Sequence, residues 1–417
     1  MNVRVERRRL GALKVAAVSI PGLRSVASLF ALPAGQWFEP AGRAGVARLT
    51  AQTLLRGTGT ADAAAWSDAL DALGATARLD VGGHAAFFAG QCLAEDLAAY
   101  LRLVADAVLH PAFADDQVDF VRAQTLAELE EDTKNTRAVA DATWRELAYP
   151  VGHPFRTRPL GDEAVVREAG AAEIRRFHQD VVLGGEAQLV IAGGIEPAAA
   201  FDAAERALGN RSGGTAHDMR VIATPPLAGV GRRDVVVADK TQCDVVLGWH
   251  GLARTDQRFT AARVTNMVFA ADTFASRVGN VVRDQLGLAY YVVSTIGASL
   301  GEAPWTVRMG VNPGNVERAI ETTFVELRKI LAAEVADEDL ALAKDKLVGE
   351  LDVALESPGG VAQLVLEGEL FSLGDDHLER YPRALRAVTK EQVVETARAF
   401  LPADRYALAV AGPELPR

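Results

Sequence analysis

Residues Phe274 to Tyr291 read FASRVGNVVRDQLGLAYY, and the rest of the chain is organised around this stretch. Its helix pattern stops at Gly287 and a β-rich run begins, so it reads as a helix-to-strand junction. Arg283 falls in the last helical turn and Tyr290 on the emerging strand. A tight turn between them aims a guanidinium and a phenol at one point, a geometry suited to gripping a carbonyl or carboxylate oxygen. A plainer reading stands beside it, in which Arg283 caps the carbonyls at its helix end and Tyr290 packs in a hairpin.

The hairpin that starts at Tyr290 runs to Val311, and upstream lie strands near Asp234 to Ala238 and Asp244 to Trp249, followed by a helical stretch. The first half of the chain has the same order. Strands at Leu13 to Ile20 and Ser25 to Pro33 precede a helix from about Gly42 to Leu55. A second helix, Ala63 to Leu73, is capped by Asp62, and a hairpin then pairs Ala75 to Asp80 with His84 to Gly90 across a Gly82-Gly83 turn. Helical periodicity continues from Leu93 into the 140s with a break at His110-Pro111. It resumes over Ala171 to Val181 and leads into a strand at Ala187 to Ala192. The closing strands match as well, LVIAG at Leu189 to Gly193 answering LAVAG at Leu408 to Gly412, and near the start of each half Ser28 to Ala31 and Val246 to Trp249 occupy similar strand positions. Two duplicated α+β domains explain this better than a solenoid, whose period is far shorter. The expected domains are residues 1–210 and 234–417, joined by a linker over 211–233 that is rich in Gly, Pro, Ser and Arg.

Hydrophobic residues make up 49% of the 417 and charged ones 24%, the balance of a globular chain with ample apolar side chain to bury. A net charge of −11 disfavours nucleic acid and anionic membranes as partners, since both are bound through Lys and Arg. The apolar residues after Arg7 to Arg9 are interrupted by Lys14 and read as a strand over Ala12 to Ser19, with no signal segment. No run reaches the roughly 20 apolar residues of a membrane span, so a cytoplasmic location is expected.

Local motifs for catalysis are missing. Cys92 and Cys243 form no CxxC, and the seven histidines (His84, His110, His153, His178, His217, His250 and His377) are isolated from one another. His153 reads as a turn or cap residue, His178 as helix surface, and His84 and His250 as strand residues able to act as partly buried donors. There is no GxSxG elbow, and Ser357-Pro358-Gly359-Gly360 lacks the Lys of a phosphate loop and reads as a helix entry.

Several stretches spread over nearly the whole chain resemble the pitrilysin-type zinc peptidases, the inverzincins, a group that includes the mitochondrial processing peptidases; the bacterial short-chain branch is the most similar. Gly45 to Gln52 followed by Arg56-Gly57-Thr58 resembles the family's zinc-motif helix, and Arg283 with Gly287-Leu288-Ala289-Tyr290 resembles its paired Arg and Tyr. Gly152-His153-Pro154 and the strand before Gly412-Pro413 resemble further landmarks. The resemblance implies two domains of the processing-peptidase type, each a mainly antiparallel sheet packed with helices. It also implies a departure: the H-x-x-E-H positions read Arg48, Ala51 and Gln52, so two zinc ligands and the general base are replaced. Glu128 matches the remaining ligand, and it either pairs with Arg48 or shares an acidic surface run reaching Asp132. Ala270-Ala271-Asp272-Thr273 stands where relatives often carry glycines.

Related enzymes divide their site between two chains, and this one is similar to the chain without zinc. On that resemblance the chain carries no cofactor of its own. A homologous partner supplies zinc and base, and Arg283 and Tyr290 hold a peptide or its oxyanion within a heterodimer. A scaffold subunit and a stand-alone peptide-binding protein are the alternatives.

Overall fold

The computed structural model describes residues 4–209, 222 and 224–416. Its strands are β1 (Val5–Leu10), β2 (Leu13–Ser19), β3 (Ser25–Leu32), β4 (Thr76–Val81), β5 (Ala86–Leu93), β6 (Ala187–Gly193), β7 (Val230–Val236), β8 (Cys243–His250), β9 (Ala289–Ile296), β10 (Pro304–Val311) and β11 (Tyr406–Gly412). They form two sheets, ordered β1-β2-β6-β3-β5-β4 and β7-β11-β8-β10-β9. Every pairing is antiparallel except β2 with β6 and β7 with β11. The repeated LVIAG and LAVAG segments are β6 and β11. Each is flanked by a parallel strand on one side and an antiparallel strand on the other, so the two sheets share one topology and β1 is an addition to the first.

The inner strands β2, β3, β6, β8 and β11 read as nearly continuous apolar runs because helices cover both faces. In the first unit, Leu13, Val15 and Ala17 of β2 face a core with Leu49, Leu54 and Val104, whereas Ala16 and Val18 face Val361, Ala362, Val365 and Leu366 of the Pro358–Leu370 helix. In the second unit, Val245 and Leu247 of β8 face a core with Val264, Phe324 and Leu327, and Val246 faces Ala140 and Trp144 of the Thr136–Ala148 helix. Trp144 lies flat enough on its sheet that a Cβ at Gly248 would come within 2.9 Å of its ring, and its indole N–H donates to the Ala407 carbonyl at 3.1 Å. The compact units are Met1–Leu129 with Arg158–Arg220 and Asp352–Leu378, and Glu130–Thr157 with Val221–Leu351 and Glu379–Arg417. Each unit therefore takes one sheet-covering helix from the opposite half of the chain.

Several boundaries differ from the sequence reading. The first helix is Val46–Leu54 instead of starting near Gly42, because Gly42 and Gly45 sit at φ +73° and +111°, outside the helical region. The β4–β5 turn spans residues 82–85, closed by Gly82 N donating to Ala85 O at 2.8 Å, so Gly82-Gly83 is only half of it and His84 lies in the turn. Asn135, unnoticed in the sequence, interrupts the long helical run and caps the Thr136–Ala148 helix through the amides of Arg137 and Ala138. Most of the expected 211–233 linker, and His217 with it, lies outside the described residues, and its last residues belong to β7, which begins at Val230. Among the described residues no helix is long and apolar enough to cross a membrane.

Candidate functional site

Arg283 lies in a π-helical turn, Gly279–Gln285, whose entry needs a glycine because a Cβ at Gly279 would sit 2.3 Å from the Thr273 carbonyl. Gly287 ends the turn at φ +57°, its amide donating to the Arg283 carbonyl at 3.0 Å. The chain then enters β9 through an irregularity: Gly310 of β10 opposes Tyr291 and Val311 opposes Ala289, leaving Tyr290 as the extra residue of a bulge. The Tyr291 ring covers Gly310, where a Cβ would come within 2.7 Å of it, and its hydroxyl donates to Asp244 Oδ1 at 2.5 Å.

The bulge decides what Arg283 meets. Its Nε donates to the backbone carbonyl of Tyr290 at 3.1 Å and its Nη1 to Asp284 Oδ1 at 2.8 Å, while the guanidinium plane rests 4.4 Å from the centre of the Phe274 ring. The guanidinium thus reaches the Tyr290 main chain and not its phenol. The Tyr290 side chain is 79% exposed and its hydroxyl has no hydrogen-bond partner among the described residues, so Tyr290 does not pack in the hairpin. Arg283 is held through Nε on one side, Nη1 on the other and one face of the guanidinium, and Nη2 makes no hydrogen bond among the described residues.

The zinc-motif positions lie in the first unit, on the Val46–Leu54 helix. Arg48 Nη2 makes a salt bridge of 2.7 Å with Glu128 Oε2 on the Asp115–Lys134 helix, and Arg48 Nε is buried without a partner. Ala51 is buried in the core, and Gln52 Nε2 donates to the Leu79 carbonyl of β4 at 3.0 Å. This donor set does not suit a metal ion. The guanidinium stays protonated and claims the carboxylate, Ala51 offers no donor atom, and the Gln52 amide is bound to backbone. Among the described residues no group of three or more His, Cys, Asp or Glu side chains is placed to hold a metal.

The histidines serve the fold. His153 caps the turn after it by accepting from the Phe155 amide at 3.1 Å. His178, expected on a helix surface, is instead buried, with Nε2 2.7 Å from the Val108 carbonyl, because it lies four residues after Ile174 and seven after Ala171 on the buried face of its helix. His250 Nε2 lies 2.7 Å from the Ala148 carbonyl. His84 stacks near Trp37, and burial pushes its pKa down to about 4. Both cysteines are free and buried, and burial pushes the Cys92 thiol up to about 12, away from nucleophilic chemistry.

Fold and site together define a duplicated α+β protein built like a metallopeptidase, in which the metal-motif positions hold no metal ligands. Residues 14–154 match the family description "Insulinase (Peptidase family M16)", and residues 169–347 match "Peptidase M16 inactive domain". The chain belongs to peptidase family M16, the insulinase or pitrilysin family. Its relatives include an uncharacterized zinc protease of Streptomyces coelicolor, 26% identical over 97% of this chain and 88% of the relative, and one of Mycobacterium tuberculosis, 26% identical over 97% and 92%. A peptidase M16 inactive domain from Pseudomonas fluorescens has the same fold, with a TM-score of 0.91, 21% identity and complete coverage of both chains. So does a protease from Helicobacter pylori, with a TM-score of 0.92, 17% identity and coverage of 99% and 100%.

Proposed function

We propose that this chain is the subunit of a heterodimeric peptidase that binds peptide but not zinc, with Arg283 and Tyr290 acting on a substrate whose attacking water is activated by zinc on a homologous partner. The observation that carries this reading is the junction itself: the Arg283 guanidinium is held by the Tyr290 carbonyl, Asp284 and the Phe274 ring beside an exposed phenol, while the metal-motif positions Arg48, Ala51 and Gln52 offer no metal donor set. Hydrolysis of a peptide bond builds negative charge on the carbonyl oxygen, and a fixed guanidinium with a phenol supplies donors where that charge develops. The ligand is an unfolded peptide held through its backbone oxygens.

The test mixes the purified chain with a homologous chain bearing an intact zinc motif and follows cleavage of a peptide. Removing one oxyanion donor costs about 10²–10³ in rate, so Arg283→Ala is expected to fall by that factor. Tyr290→Phe, which removes one hydroxyl, is expected to fall about tenfold. Unchanged rates with both substitutions would replace this reading with that of a scaffold subunit.

A further inference from the structure

Phe274 is 68% exposed, an apolar ring held in water with the Arg283 guanidinium against its face. Burial does not hold it there. Asp272 Oδ1 accepts from the backbone amides of Phe274 and Ala275, both at 2.8 Å, which folds residues 272–275 into a tight turn. Asp272 Oδ2 accepts from the Lys346 ammonium on the Asp337–Ala354 helix. Thr273 Oγ1 ties the same turn to β9 by donating to the Val292 carbonyl at 2.9 Å, and Ser294 N donates to Ala270 O at 2.7 Å. Burial opposes charge on Asp272, yet Lys346 and the two amides outweigh it and hold the carboxyl below its ordinary value. A segment that could have been a loose loop is therefore anchored at both ends and at its centre.

We infer that Asp272 and Lys346 are positioning residues for Arg283: their ion pair locks the turn that makes Phe274 the floor under the guanidinium, so that Nη2 is presented in one orientation to a peptide oxygen. The inference rests on the reading of Arg283 as a peptide-binding group. An unrestrained arginine must surrender its rotamer freedom each time it binds, and a guanidinium already seated on a ring and a carbonyl has surrendered most of it. Asp272 and Lys346 touch no substrate in this scheme and act only through Phe274 and Arg283.

The spectroscopic test uses the full ¹⁵N-labelled chain and the Arg283 side-chain Nε–H resonance, assigned by its loss in Arg283→Lys. In the wild type this proton exchanges slowly and carries a ring-current displacement from Phe274. Lys346→Met and Asp272→Asn are each expected to speed its exchange about tenfold and to remove the displacement, whereas Lys346→Arg keeps both. A merely structural staple would lower thermal stability in all these variants without moving the Arg283 signal. An unmoved signal in Lys346→Met and Asp272→Asn, or a Lys346→Arg variant as altered as Lys346→Met, would overturn the inference whatever the pair cleaves. If the signal responds as expected but Arg283→Ala leaves cleavage by the mixed pair unchanged, the lock is real, and it is the assigned function of Arg283, and with it the positioning role, that falls.

Discussion

Two arginines, Arg48 and Arg283, each sit on a helical segment beside an acidic side chain, and the difference between them teaches more than the likeness. Arg48 reaches across 80 residues of sequence to Glu128, and the polar neighbour one helical turn on, Gln52, is tied to the Leu79 carbonyl. That region is closed on itself. Arg283 takes its carboxylate from the adjacent Asp284 and its second bond from a carbonyl turned outward by a bulge, and an exposed phenol follows directly. In the first region the charges neutralise one another and the helix becomes a packing element. In the second, the cation is shared among a neighbouring carboxylate, a backbone carbonyl and an aromatic face beside an exposed phenol.

The largest effect that can sharpen this comparison is the return of a metal. Arg48 and Gln52 are four residues apart on one helix face, the spacing at which two imidazoles share a zinc ion, and Glu128 lies within reach of position 48. The double variant R48H/Q52H removes the guanidinium that occupies Glu128 and restores three donors. It is expected to bind about one zinc per chain by elemental analysis, and to remain without hydrolytic activity because Ala51 supplies no base. A double variant that binds none would mean that the backbone of this region, and not only its side chains, has left metal-site geometry.

A smaller effect probes the Arg283 junction. Gly279→Ala places a methyl 2.3 Å from the Thr273 carbonyl, a backbone atom that has little room to retreat. Overpacking of this kind costs about 1–3 kcal/mol, read as a lower midpoint of urea unfolding. The residue sits where the 272–275 turn meets the π-helical segment, so an unchanged midpoint would show that this junction is softer than its contacts indicate.

Much of this contrast was legible in the sequence, because the informative features are short-range or repeated. Asp62 and Ser357 announce their helices and cap them, His110-Pro111 breaks the helical run, and LVIAG with LAVAG marks equivalent interior strands of the two sheets. The replaced motif at Arg48, Ala51 and Gln52 was equally plain. Long-range choices left no such signal. Nothing local in TRAVADATWRELA says that this helix covers the second sheet, since an apolar face specifies a sheet and not which one. His178 is a different case: it follows Ala171 and Ile174 at helical spacing on the buried face, so its burial was legible in the periodicity and the surface reading overlooked it. The bulge at Tyr290 depends on how β10 pairs with β9, and the Asp272–Lys346 contact joins residues 74 apart. The one available hint was Gly310, a glycine inside a strand, which is where bulges gather.

The smallest effect concerns pH, and it separates the two regions again. The Asp272 carboxyl is held below its ordinary value in the folded chain, so its stabilising contribution is fully present above the unfolded-state value of about 3.9 and is lost as pH falls through the lower folded value. Lys346→Met removes the ion-pair partner, and with it part of the cause of that shift. The gap in unfolding midpoint between wild type and Lys346→Met is therefore expected to be present at neutral pH and to close below about pH 4. Because both groups keep some contact with water, the gap itself is modest. A gap that persists unchanged into acid would mean that Lys346 acts there through packing of its stem, and that the turn beneath Phe274 is held by the two amide bonds alone.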